Sequence, residues 1–72
     1  MLNVDKLKKC MANKGMTAET LAEAIEIDRA TFYRKIARSE CAFTVEQARR
    51  ISDVLELSGA DFMDIFLPEM SH

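Results

Sequence analysis

The sequence predicts an all-α fold, and three observations lead to that prediction. Apolar residues recur at spacings of three and four along most of the chain, whereas the alternation of apolar and polar residues typical of strands is absent. Thr, Asp or Ser stands just before several of these segments, where helix N-caps are expected. With one proline and two glycines among 72 residues, the chain has few places for long loops and forms a single domain.

Five helices are predicted, at about residues 3–13, 17–25, 28–37, 44–56 and 58–67, followed by a loose tail at 68–72. The predicted N-caps of the last four helices are Thr17, Asp28, Thr44 and Ser58. Thr44 also begins a Thr-x-x-Gln capping box. The apolar stripes of the five helices provide the core, in the order Val4, Leu7, Met11; Leu21, Ala22, Ile25; Phe32, Ile36; Ala48, Ile51, Val54, Leu55; and Phe62, Ile65, Phe66.

The second and third helices are separated only by residues 26–28, which are too few for anything but a tight turn. Two short helices joined in this way form a helix-turn-helix, whose second helix can lie in the major groove of DNA. With Phe32 and Ile36 directed inward, the helical period places Ala30, Tyr33, Arg34, Ala37 and Arg38 on the opposite face, with Arg29 at its leading end. Residues 29–38 contain four basic residues and no acidic one.

Arginine can donate two parallel hydrogen bonds to guanine O6 and N7, and small residues allow a helix to approach the base edges. The sequence therefore predicts base contacts by Arg29, Ala30, Tyr33 and Arg34. The alternative for these residues is a solvated basic helix face without a ligand. Arg49 and Arg50 lie off the apolar stripe of the fourth helix, where a solvated or salt-bridging role is expected.

The span from Gly15 to Phe66 resembles the lambda-repressor-like, Cro-type family, also called the XRE family, of bacterial and phage repressors. The matching residues are Met16, Thr17, Leu21, Ala22, Ile25, Ile27, Arg29, Ala30, Thr31, Phe32, Ile51, Leu55 and the segment 58–66. Residues 31–36, TFYRKI, are especially similar to small phage Cro-like proteins. The resemblance implies a five-helix lambda-repressor-like domain that binds double-stranded operator DNA and regulates transcription, most simply as a phage or prophage repressor.

The resemblance also implies contacts to the DNA backbone around the motif. The residues expected to make them are Thr17, Ala18 through its backbone N–H, Thr31, Arg38, Ser39 and Thr44. Lys14, the lysine nearest the motif, is a further candidate for a phosphate contact, and a solvated helix face is the alternative for it. Such proteins usually have glycine in the turn, where this chain has Glu26, so either backbone strain at that position or a slightly different turn is expected.

The net charge of −2 is unevenly distributed, since residues 1–39 sum to +3 and residues 40–72 to −5. Such asymmetry is expected if only one end of the domain meets phosphate. A palindromic operator read by a homodimer is expected, with Phe66, Leu67 and Met70 as the predicted dimer contact. Dimerisation only on DNA is compatible with the same sequence.

A second hypothesis is a protein-interaction module, antitoxin-like or anti-repressor, on the same fold. The acidic C-terminal half and the stripe of Phe62, Ile65, Phe66 and Met70 motivate it, although core packing explains most of that stripe.

An enzyme is not expected, because the one histidine, His72, is the last residue and no convergent catalytic group or glycine-rich phosphate loop is present. Cys10 and Cys41 lack metal-ligand spacing and are expected to be reduced thiols, with a disulfide bridge or a redox switch as the alternative. No cofactor, metal or small-molecule ligand is predicted. The absence of a signal peptide and of a membrane-length apolar run predicts a cytoplasmic protein.

Overall fold

The computed structural model of the chain describes residues 2–38 and 43–70, without the side chain of Met70. It contains α1 (Val4–Asn13), α2 (Ala18–Ala24), α3 (Arg29–Ala37), α4 (Val45–Leu55), α5 (Gly59–Phe66) and a 3-10 helix (Pro68–Met70). No strand occurs within these ranges, which confirms the predicted all-α fold. Predictions were also made about residues that the structure does not describe. These are Ser39, Cys41, His72 and the side chain of Met70.

All four predicted N-caps are confirmed. The Asp28 carboxylate accepts hydrogen bonds from the backbone N–H groups of Ala30 and Thr31, at 3.0 and 3.3 Å. The side chains of Thr17 and Ser58 each accept one from the N–H three residues later. Thr44 and Gln47 form the predicted capping box, with both N–H···O distances at 3.0 Å. Because the caps satisfy N–H groups that have no intrahelical partner, they fix where each helix begins.

One apolar cluster joins the five helices. Its largest fully buried side chains are Leu7, Leu21, Ile25, Phe32, Ile51 and Ile65. Leu2, which precedes α1 and was not among the predicted core residues, is also buried. The backbone N–H of Asn3 donates to the carbonyl of Ile65 at 2.8 Å, so the start of the chain is bound to α5.

The C-terminal segment differs from the prediction. The last helix, α5, ends at Phe66, and the exposed Leu67 is its C-cap. Pro68–Met70 form a 3-10 helix instead of a loose tail. A proline has no N–H to donate but a fixed φ that suits the first position of such a turn, and 3-10 turns are frequent at the ends of α-helices.

Ion pairs of Lys6 and of Lys14, the C-cap of α1, connect this helix to the C-terminal half. Lys6 Nζ lies 3.2 Å from Asp61 of α5, and the hydrogen bond between them raises the pKa of Lys6. Lys14 Nζ lies 2.8 Å from Glu56, and its hydrogen bond lowers the pKa of that carboxyl. Both pairs are solvent-accessible, so the apolar cluster rather than these contacts provides most of the stability.

Within residues 2–38 and 43–70, three residues have left-handed backbone conformations. Gly15, after α1, has φ of +66°, a conformation that glycine adopts readily at helix C-termini. Glu26, in the turn between α2 and α3, has φ of +62°, and Glu56, the C-cap of α4, has φ of +53°. This conformation costs a residue with a Cβ roughly 1–2 kcal/mol. The strain expected at Glu26 is therefore confirmed.

Replacing Glu26 with glycine should stabilise the domain. We expect Glu26→Gly to raise the free energy of unfolding by about 1 kcal/mol, because glycine adopts a positive φ without steric cost. The matched control is Glu23→Gly on α2, which should lower it by roughly 0.5–1 kcal/mol because a helical glycine loses more conformational entropy. Urea unfolding followed by circular dichroism measures both, and equal destabilisation by the two variants would contradict strain at Glu26.

Candidate nucleic-acid interface

The helix α3 is held against the core by Phe32, which is fully buried. The ring of Phe32 lies 5.6 Å, centroid to centroid, from that of Phe43, which precedes α4. On the opposite side of α3 the residues predicted to face outward are all exposed, namely Ala30, Tyr33, Arg34, Ala37 and Arg38. Tyr33 is 48% exposed although it is a large aromatic residue. We call these five residues together with Arg29 the outer face of α3.

Two predicted site residues are in contact on α3. The Nη2 group of Arg34 donates a hydrogen bond of 3.3 Å to the hydroxyl of Thr31, one turn earlier. Arg34 is exposed and Thr31 is half-buried. The contact holds the guanidinium along the helix surface, where neighbouring protein does not cover it. Arg34 is thus available to an external ligand.

Arg29 has a partner that the sequence analysis missed. Its Nη1 lies 3.0 Å from Oε1 of Glu19, and the two side chains are 61% and 60% exposed. Residues 29–38 contain no acidic residue, but the N-terminal turn of α2 supplies one from outside that segment. The nine residues between Glu19 and Arg29 include a turn, so neither periodicity nor charge counting indicates that the two side chains meet.

The other basic residues near the motif are placed differently. Lys35 is half-buried, with Nζ 5.7 Å from the centre of the Phe43 ring. Lys14, predicted to contact a phosphate, is paired with Glu56. Among the described residues, the exposed positive charge of α3 therefore comes from Arg29, Arg34 and Arg38.

The remaining predicted backbone contacts lie at helix N-termini. Thr17 and Thr44 are exposed N-caps of α2 and α4, and Ala18 is the half-buried first residue of α2. Helix N-termini present N–H groups and the positive end of the helix dipole, which attract phosphate. The hydroxyl of Thr17 accepts the N–H of Thr20 as part of its cap.

Arg50 has a contact that sequence reasoning also missed. Its Nη1 donates to the carbonyl oxygen of Ile25 at 3.2 Å and lies 4.0 Å from the Glu26 carboxylate. Ile25 is the C-cap of α2, where carbonyl groups have no intrahelical partner. Arg50 therefore joins α4 to the turn of the helix-turn-helix. The contact spans 25 residues, so no local pattern reveals it.

The predicted salt-bridging role of Arg49 and Arg50 is confirmed. Glu46 Oε2 lies 3.0 Å from Arg49 Nη2 and 3.0 Å from Arg50 Nε. Hydrogen bonds from Arg49 and then Arg50 lower the pKa of Glu46. Arg49 also lies 3.4 Å from Asp53. Both guanidiniums are thus engaged by carboxylates of their own helix.

Of the residues predicted to form a dimer contact, Phe66 ends α5, Leu67 is its C-cap and Met70 belongs to the 3-10 helix. Phe66 is half-buried in a row of aromatic rings, with Phe62 at 4.8 Å and Phe43 at 6.3 Å. Leu67 is 41% exposed. Phe66 thus packs mainly against aromatic residues of its own domain, whereas Leu67 exposes apolar surface to solvent.

A metal site, a reactive thiol and a membrane-spanning helix each have structural requirements that the described residues do not meet. They contain no group of three His, Cys, Asp or Glu side chains arranged to hold a metal ion. Burial raises the pKa of the Cys10 thiol, which leaves it poorly reactive. None of the helices within residues 2–38 and 43–70 has the length and apolar character needed to cross a membrane.

Comparison with known families agrees with this geometry. The family model described as a Cro/C1-type HTH DNA-binding domain matches residues 6–66. The match includes α2, the turn and α3, as well as α4 and α5. No curated protein and no solved structure matches the chain significantly.

Removing Arg50 should destabilise the domain more than removing its neighbour. We expect Arg50→Met to lower the free energy of unfolding by about 1–2 kcal/mol, because the Ile25 carbonyl loses a charged donor. Arg49→Met is the control, since it removes only exposed pairs within α4 and should cost less than about 0.5 kcal/mol. Chemical denaturation measures both values. A cost for Arg50→Met no larger than for Arg49→Met would contradict a stabilising contact between Arg50 and the Ile25 carbonyl.

Proposed function

Because the chain belongs to the Cro/C1-type helix-turn-helix DNA-binding family, we propose that it is a sequence-specific transcriptional repressor of the phage or prophage Cro-like kind. It acts in the bacterial cytoplasm on double-stranded operator DNA and blocks transcription by occupying the operator. The observation that carries the proposal is the outer face of α3, which combines exposed arginines with the small residue Ala30 above the buried Phe32.

In this proposal α3 lies in the major groove. Arg29 and Arg34 each donate hydrogen bonds to base edges, with guanine O6 and N7 as the favoured acceptors. Ala30 permits close approach and contacts a thymine methyl group. Tyr33 packs against a sugar or donates its hydroxyl to a phosphate. The contact between Arg34 and Thr31 supports this arrangement, since it restricts the guanidinium before DNA arrives.

The sugar–phosphate backbone is held at the edges of the motif. Thr17 and the N–H of Ala18 contact one phosphate at the start of α2, and Thr44 contacts another at the start of α4. Thr31, Arg38 and Ser39 add contacts beside α3. Lys14 reaches a phosphate only by leaving Glu56, which costs little because that pair is exposed.

Two domains read a palindromic operator as a homodimer. Half-sites one helical turn apart, about 34 Å, match two copies of α3 related by two-fold symmetry. Phe66, Leu67 and Met70 form the contact between copies, with the exposed Leu67 at its centre. Pairing takes place on DNA if the contact alone is too weak in solution.

Arg34 should be needed for both affinity and sequence preference. The operator is first obtained by selection from random duplexes, which also reports whether half-sites are paired. We then expect Arg34→Ala to weaken operator binding by about 1–3 kcal/mol and to relax the preference at one base pair of each half-site. Fluorescence anisotropy with matched and mutated duplexes measures both effects.

The matched control is Arg49→Ala, which removes the same charge from an arginine already paired within α4 and should leave base preference unchanged. A salt titration separates DNA binding from the protein-interaction alternative. Binding to DNA weakens steeply as salt rises, whereas apolar protein binding responds little. Unchanged affinity and preference in Arg34→Ala would refute the assignment of α3 as the reading helix.

The dimer contact is tested at Leu67. We expect Leu67→Glu to reduce affinity for the paired operator by about tenfold, because a buried charge disfavours the contact between copies, and to leave half-site affinity unchanged. The control, Ala12→Glu, adds the same charge on an exposed position of α1. Sedimentation of the protein with and without operator gives the stoichiometry. One protein per operator at high concentration would exclude the dimer.

A further inference from the structure

An acidic side chain, that of Glu19, lies on the surface that faces DNA in the proposed function. Glu19 is in the first turn of α2, and Arg29 is the first residue of α3. Their charged groups are 3.0 Å apart, and both side chains remain about three-fifths exposed. An exposed ion pair contributes little to stability. Its position at the start of both motif helices suggests a role in binding instead.

The atoms that form this pair leave part of the guanidinium available. Glu19 engages Nη1 of Arg29. The Nε–H and Nη2–H groups on the adjacent edge are parallel donors, and such a fork matches the O6 and N7 acceptors of guanine. Arginine otherwise has many rotamers, so a carboxylate at Nη1 removes part of the ordering cost before the base is met.

We propose that Glu19 is a specificity-determining residue that positions Arg29 for base recognition. The inference rests on the proposed function, because it assigns a partner to one of the arginines that read DNA. Glu19 touches no base in this arrangement, and it acts through Arg29. It favours the bidentate contact with guanine over an unspecific contact with a phosphate, since one end of the guanidinium is already occupied.

The negative charge of Glu19 does not by itself produce selectivity. A carboxylate at the start of α2 repels phosphates, and binding to random DNA depends almost entirely on charge. This repulsion weakens binding to the operator and to random DNA alike. At an operator, the hydrogen bonds made by a correctly oriented Arg29 offset it, and at a random sequence they do not. Glu19 therefore raises the ratio of operator affinity to random affinity only through Arg29.

The test compares Glu19→Gln with Glu23→Gln. Glu23 is exposed one turn further along α2, so both variants remove one negative charge from the same helix. Affinities for the selected operator and for a scrambled duplex are measured at one salt concentration, and thermal melting checks that both variants fold. We expect Glu19→Gln to reduce the ratio of operator affinity to scrambled-duplex affinity by about threefold to fivefold. Glu23→Gln should raise both affinities alike and leave the ratio unchanged.

The same comparison in an Arg29→Ala background isolates the coupling. If Glu19 acts through Arg29, adding Glu19→Gln to Arg29→Ala leaves the ratio as it is in Arg29→Ala alone. A loss of selectivity that persists in this background, or a Glu19→Gln variant that behaves like Glu23→Gln, overturns the proposal. Failure of the unaltered protein to select any sequence overturns the proposed function as well, and that result appears before any variant is made.

Discussion

The burial of Phe32 is the constraint on which the rest of the structure depends. A phenylalanine with no exposed surface fixes the rotation of α3, because turning the helix would expose the ring to water. Phe43 lies against it and links α3 to the start of α4. With the rotation fixed, the helical period places Ala30 and Arg34 in solvent. The exposure of the outer face of α3 is thus a consequence of core packing.

The turn before α3 imposes a second constraint. A short connection between α2 and α3 needs one residue at positive φ, and this chain uses Glu26. It also leaves the Ile25 carbonyl at the end of α2, and Arg50 donates to it from α4. The same guanidinium is held by Glu46. The angle between the motif helices therefore depends on α4 as well as on the turn.

Local patterns in the sequence predicted most of the fold. The cap of Asp28, the Thr44–Gln47 box and the inward position of Phe32 involve residues within about one helical turn, so spacing alone indicates them. The pairs Glu19–Arg29 and Arg50–Ile25 join different helices, and they depend on packing that no local spacing encodes. The base and phosphate contacts remain predictions.

The overall acidity of the chain is compatible with selective DNA binding. Lys14, Arg49 and Arg50 are each paired with a carboxylate, so a large part of the positive charge is neutralised within the domain. An acidic protein has little affinity for random DNA, because non-specific binding follows the number of phosphates neutralised. In the proposed function, selective binding then comes from directional contacts on α3. A low affinity for random DNA raises the ratio of operator affinity to random affinity. This ratio, rather than the absolute affinity, determines how often the operator is occupied in a genome.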